Sequence, residues 1–243
     1  MLRENLAGKI QNANKEFHLR GHEVKRIEAF SDAVFAFAVT LLIVSLEVPK
    51  SFEELMLIMR GFFAFGISFL FLMLIWYEQN VFFRRYGLDD VRTIVLNCTL
   101  IFLVLFYVYP LKFLFTMIFS YQIYGAEHSP IEMKATDNST LMLIYGTGFI
   151  LIYLVFFLMY LHALRKKEML NLTIIEIYDT KTRLFANLIL IIIGIVSIII
   201  SKILPPEKAG IAGMIYILIG PAFSVFHSIR GRRRKKINIP VPT

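Results

Sequence analysis

Six apolar stretches, each long enough to cross a bilayer, leave this chain little choice but a bundle of membrane-spanning helices. About 20 apolar residues cross a hydrocarbon core, and runs of that length lie at about 28–47, 55–80, 93–118, 141–162, 184–203 and 209–228. Hydrophobic residues fill 57% of the 243 positions, 23 of them Phe, which is more than a soluble domain ordinarily carries. The fold class is therefore all-α and integral to the membrane, with six transmembrane helices and no internal duplication. Residues 1–25 are polar and mixed in charge, without the short basic-then-apolar pattern of a cleaved leader, so the first helix is expected to stay in the mature protein.

Lys and Arg set the orientation, because they accumulate in cytoplasmic connections. Of the 26 basic residues, 20 fall on one side: the N-terminal segment, the 82–93 and 165–183 connections, and the tail from Arg230. The opposite side has Lys50, Lys112, Lys134, Lys202 and Lys208. Both termini are expected in the cytoplasm of a multi-pass cell-membrane protein. Three regions follow: a cytoplasmic N-terminal segment 1–27, a six-helix transmembrane domain 28–229 and a basic cytoplasmic tail 230–243. The tail and the net charge of +8 do not point to nucleic acid, since basic clusters beside membrane spans are ordinarily topogenic and face lipid. Membrane lipid is the expected neighbour. The single cysteine, Cys98, excludes an intrachain disulfide.

Asp32 lies inside the first apolar run. A carboxylate in a spanning helix costs roughly 2.5 to 3.5 kcal/mol on insertion scales, so it is expected to face protein or water and to be structural, anchoring Arg26 or other polar groups. Ser31 adds a hydroxyl beside it. Trp76, Glu78 and Gln79, near the inner end of the second span, form a second polar group. Both groups sit at the same ends of adjacent helices, and buried polar atoms find hydrogen-bond partners, so Trp76, Glu78 and Gln79 are the candidate partners of the first cluster. An interfacial anchor would explain Trp76 equally well.

The first span carries two periodic seams. Ala33, Phe37, Thr40, Val44 and Glu47 recur with gaps of four, three, four and three, the heptad spacing by which a helix meets copies of itself. Ser31, Ala38 and Ser45 form a second seam of small residues suited to close contact within the subunit. If the first seam lines an axis, Thr40 supplies hydroxyls within an apolar constriction and Glu47 closes the outer mouth with a ring of acids. An ordinary buried helix would show the same spacing.

Catalytic and metal motifs are missing. The five histidines are scattered, and His18 and His22, four apart, fit a solvated helical face better than a metal pair. No phosphate loop or nucleophile elbow is present. Tyr145-Gly146-Thr147-Gly148-Phe149 has the letters of a potassium filter in the wrong order and is read as helix packing through small residues. Pro110 is expected to kink the third span, with Lys112 snorkelling to the interface.

Arg26-Ile27-Glu28-Ala29-Phe30-Ser31-Asp32 resembles the R-x-x-x-F-S-D signature of the transmembrane protein 175 family of potassium channels. Trp76, Asn97, Pro110 and the single six-helix unit resemble the prokaryotic form. The resemblance implies a homotetramer with the first helices around a central pore and no re-entrant filter. It makes residues 28–229 a channel domain and potassium the permeating ion, with no cofactor and no enzyme activity. Carried forward from Asp32, the family's constriction falls on Phe37, its hydroxyl layer on Thr40 and its next apolar layer on Val44, with Ala33 and Leu41 also lining the pore. Arg26, Phe30, Ser31 and Asp32 then form the structural polar cluster. Two departures stand out: Phe37 replaces an aliphatic residue, and Tyr77-Glu78-Gln79-Asn80 follows Trp76 where relatives carry a histidine. The alternatives are a proton- or ion-coupled secondary transporter using Asp32 as a relay, or a non-transporting membrane scaffold.

Overall fold

The computed structural model describes residues 17–44, 50–60, 62–124 and 137–237, which are helical or connecting throughout. In chain order the helices are α1 (Arg26–Val44), α2 (Phe52–Arg60), α3 (Phe62–Tyr86), α4 (Val91–Tyr124), α5 (Asp137–Arg165) and α6 (Ile174–Ile203). A tight 3-10 segment (Pro206–Leu218) and α7 (Ile219–Ile237) complete them. Five stretches, at Phe62–Tyr86, Val91–Met117, Asp137–Arg165, Ile174–Ile203 and Lys208–Arg234, are long and apolar enough to cross a membrane. α1 carries Arg26, Glu28 and Asp32 at its foot and is otherwise apolar. The chain is thus an all-helical, multi-pass membrane protein.

The second expected span is described as α2 and α3 on either side of residue 61, which lies outside the described residues, and the last span has a different internal build. The last opens as a 3-10 helix, whose three-residue repeat puts Ala209 and Ala212 on one face, both fully buried. Ser197 on α6 donates to the Ala212 carbonyl at 2.9 Å, which fixes this face against α6. The tail expected to begin at residue 230 is a continuation of α7 as far as Ile237. Arg234 Nε donates to Asp179 on α6 at 2.8 Å, and the Arg230 guanidinium lies 4.3 Å from the Tyr178 ring centroid.

Two apolar clusters hold the helices together. Phe35, Ala38 and Leu42 of α1 pack with Leu72 of α3 and Ile101, Val104 and Val108 of α4. The larger cluster joins Phe82, Phe83 and Tyr86 of α3 to Leu100 and Leu103 of α4 and to Phe156, Met159 and Tyr160 of α5. Glycines set the approach of α5 to its neighbours. A Cβ on Gly148 would collide with the Tyr107 ring on α4, and one on Gly146 would lie 2.6 Å from Ile198 on α6. The Tyr145–Phe149 stretch is therefore a packing surface inside α5.

The N-terminal segment is strapped to one end of this bundle. Phe17 is buried in the larger cluster. Arg20 makes two hydrogen bonds of 2.9 Å to the Glu176 carboxylate and a third, of 2.7 Å, to the Leu170 carbonyl. Glu176 is wholly buried and also closes the capping box of α6 with Thr173. Residues 17–25 are non-helical, so His18 and His22 share no helical face; the His18 backbone N–H is committed to Glu176 instead.

Candidate functional site

α1 has two nearly opposite faces, and the structure treats them differently. At about 100° per residue, Ser31, Phe35, Ala38 and Leu42 fall on one side and Ala33, Phe37, Thr40 and Val44 on the other. The first set is buried: Ser31 and Ala38 are fully covered and Phe35 and Leu42 nearly so. On the second, Ala33 and Thr40 are exposed, and Phe37 keeps 57% of its surface uncovered by its own subunit. Leu41 is half-buried at the edge of the α1–α4 cluster. Ser31 and Ala38 thus occupy the intrasubunit seam, whereas Ser45, Glu47 and the side chain of Val44 lie outside the described residues.

A polar chain locks the foot of the buried face. Asn97 on α4 donates from Nδ2 to the Ser31 hydroxyl at 2.7 Å, and the Ser31 hydroxyl donates to the Ile27 carbonyl at 2.7 Å. Gln79 on α3 donates from Nε2 to Oδ1 of Asn97, again at 2.7 Å. Gln79, Asn97 and Ser31 are almost or entirely inaccessible to solvent. In a low-dielectric interior each bond strengthens, and each member becomes expensive to leave unpaired.

Asp32, one position on, points along a different side of α1 and accepts a 2.7 Å hydrogen bond from the Trp76 indole. Two of the expected partnerships resolve differently. Arg26 makes no hydrogen bond or ion pair among the described residues; seven positions before Ala33, it falls on the uncovered face, away from Asp32. Glu78 turns from α1 towards α5 and α6, where it accepts from the Tyr160 hydroxyl at 2.6 Å and from Arg183 at 2.8 Å. Phe30 is exposed, with 54% of its surface free.

Two further features belong to this helix. The Thr40 hydroxyl donates to the Ala36 carbonyl at 3.0 Å, so its proton is committed within α1 and its lone pairs remain outward. At the other end, Lys112 on α4 donates to the Leu42 carbonyl at 3.1 Å, where a cation complements the negative end of the helix. Lys112, expected to reach the interface, instead ties α4 to α1. Among the described residues no three His, Cys, Asp or Glu side chains gather as a metal-ligand set.

The sequence reading missed the Arg20–Glu176 strap and the Asp90 cluster on the connection between α3 and α4. Asp90 accepts from Thr93 at 2.7 Å and faces His162 Nε2 at 2.9 Å and Lys166 Nζ at 3.3 Å. Burial pushes its carboxyl upward, but the hydrogen bonds from Thr93 and His162, helped by charge, win and hold it at about 2. The Thr173-x-x-Glu176 capping box was a readable local signal for Glu176; nothing local marks its distant partner Arg20.

A multi-pass helical membrane protein whose first helix locks one face into its own subunit and leaves the other uncovered is the class these features define. The family model described as "Endosomal/lysosomal potassium channel TMEM175" matches residues 26–110, which contain α1, the lock and Pro110. A protein of Marivirga tractuosa named "Potassium channel" is 40% identical over 94% of this chain and 96% of its own length. Potassium channel Cha6605_3372 of Chamaesiphon minutus is 32% identical over 36% of this chain and 47% of its own length. The crystal structure of a threonine-to-alanine variant of the potassium channel MtTMEM175, in complex with a nanobody–MBP fusion protein, superposes with a TM-score of 0.77. It is 40% identical and covers 89% of this chain and 97% of that one. This chain belongs to the TMEM175 family of potassium channels, which are ion channels and not enzymes.

Proposed function

We propose that four copies of this chain assemble around an axis lined by α1, forming a potassium-preferring pore with Ala33, Phe37, Thr40, Val44 and Leu41 on its wall. The observation that carries this reading is the uncovered Ala33–Phe37–Thr40 face opposite a buried one. A heptad face left open by its own subunit is suited to meeting copies of itself. Phe37 forms the narrowest ring. Four phenyl groups converging on one axis exclude water, and such apolar constrictions gate by dewetting, so conduction requires the α1 helices to rotate or splay. Thr40 is the hydroxyl layer. With its proton held by Ala36, each oxygen offers lone pairs to a cation and replaces part of its hydration, a requirement that favours the more easily dehydrated potassium ion. Glu47 supplies acids at the outer mouth. The lock of Ser31, Asn97 and Gln79, with Asp32 and Trp76 beside it, holds the foot of α1 and does not touch the ion.

In this reading the protein lies in the cell membrane with both termini cytoplasmic. The strap, the 82–93 and 165–183 connections and the end of α7 meet at one end of the bundle, and their excess of Lys and Arg supports a cytoplasmic end. The test is potassium efflux from proteoliposomes under a potassium gradient, with internal pH monitored. Passive efflux without stoichiometric proton movement is the expected result; obligatory proton counterflow would instead favour a coupled carrier using Asp32.

A further inference from the structure

We infer that the groove between the first turns of α4 and the last turns of α5 is a binding site for the head group of an anionic phospholipid. The groove measures about 460 Å³ and is walled by Val91, Val95, Leu158 and Leu161, with Arg92 and Arg165 at its rim. Val91 and Val95 are 75% and 57% exposed, so the wall presents apolar surface that the subunit itself does not cover.

The two arginines identify the occupant. Both are exposed, and neither makes a hydrogen bond or ion pair among the described residues. The acid close by, Asp90, is already engaged by Thr93, His162 and Lys166. The rim therefore offers two uncommitted guanidinium groups, the planar donors best matched to phosphate oxygens. Below them the exposed stripe of α4 continues through Phe102 and Phe106, 64% and 62% uncovered, which gives an acyl chain an apolar track into the membrane. A cationic rim over an apolar groove between spanning helices is complementary to a phosphate-bearing lipid and indifferent to a soluble peptide. This assignment stands whether or not α1 lines the pore.

The test is thermal unfolding of the purified oligomer in neutral detergent with phosphatidylglycerol, phosphatidylcholine or glycerol 3-phosphate added. Phosphatidylglycerol should raise Tm by roughly 5 °C more than phosphatidylcholine does, as saturation of a site on the folded state requires. R92Q/R165Q should abolish that difference, whereas R232Q/R233Q, which removes two equally exposed charges at the same end, should keep it. Three results would overturn the site: persistence of the difference in R92Q/R165Q, an equal rise with glycerol 3-phosphate, or loss of the oligomer in R92Q/R165Q, which would make the groove an interface between copies. Should the double variant not fold, R92Q and R165Q separately should each reduce the difference, and an unchanged difference in both rejects the proposal.

Discussion

The Trp76 indole on α3 donates to Oδ1 of Asp32 on α1 across 2.7 Å, giving the acid in the first span a neutral partner. Removing the donor while keeping an aromatic ring, as in Trp76→Phe, should lower stability by about 1.5 to 3 kcal/mol, the range for a hydrogen bond to a charged group. Asp32→Asn keeps an oxygen that accepts the indole N–H and should be milder than Asp32→Leu. Thermal unfolding of the three variants checks the order. If Asp32→Asn proved as damaging as Asp32→Leu, the negative charge itself would be required and Trp76 would not be its main partner.

Asn97 joins α3 to α1 through two bonds of 2.7 Å in a site closed to solvent. Asn97→Leu should therefore be more damaging than Ser31→Ala, because it orphans the Gln79 amide and strips a donor from Ser31 together. A loss of about 2 to 4 kcal/mol follows from two buried partners left unsatisfied. In a double-mutant cycle, Gln79→Leu combined with Asn97→Leu should cost much less than the sum of the two; simple additivity would mean the chain does not act as a unit.

Acid should weaken the α3–α4 connection through Asp90. Its folded carboxyl titrates at about 2, below the ordinary 3.8, so its stabilising effect is fully present above pH 4 and lost as pH falls towards 2. The depression corresponds to roughly 2 kcal/mol. Asp90→Asn should be less stable than the wild type at pH 6, and the gap should close by pH 2. Unfolding midpoints across that range check the sign, and a gap that widened on acidification would contradict it.

Thr40→Val preserves shape and removes the outward oxygen. Bi-ionic measurements should show potassium over sodium permeability falling several-fold, with expression and assembly unchanged. An unaltered permeability ratio would remove Thr40 from the ion path.

The sequence made the helical class and the two faces of α1 legible because both rest on local periodicity: Ser31 and Ala38 against Ala33, Phe37 and Thr40. The meeting of Trp76 and Gln79 with the foot of α1 was readable from adjacency in the topology. Partnerships across long separations were not. Arg20 and Glu176 stand 156 residues apart and Glu78 and Arg183 stand 105 apart, and no local spacing marks either pair. Arg26 lies near Asp32 along the chain, yet helical geometry puts it on the uncovered face, and Asp32 takes one of the other polar groups, Trp76, as its partner. The 3-10 segment was hidden by an apolar composition that suits an α-helix, with Ala209 and Ala212 three apart as its one sequence trace.

Phe37 tests the central claim most directly, since an axial ring and a lipid-facing or intrasubunit ring give opposite results on removal. Potassium flux should be compared for wild type and Phe37→Ala in proteoliposomes matched for oligomer content. A pore gated by this ring predicts a higher flux in Phe37→Ala, because water re-enters the constriction once the phenyl groups are gone. Flux equal to wild type, with only a lowered Tm from lost packing, would place Phe37 off the axis and contradict the account.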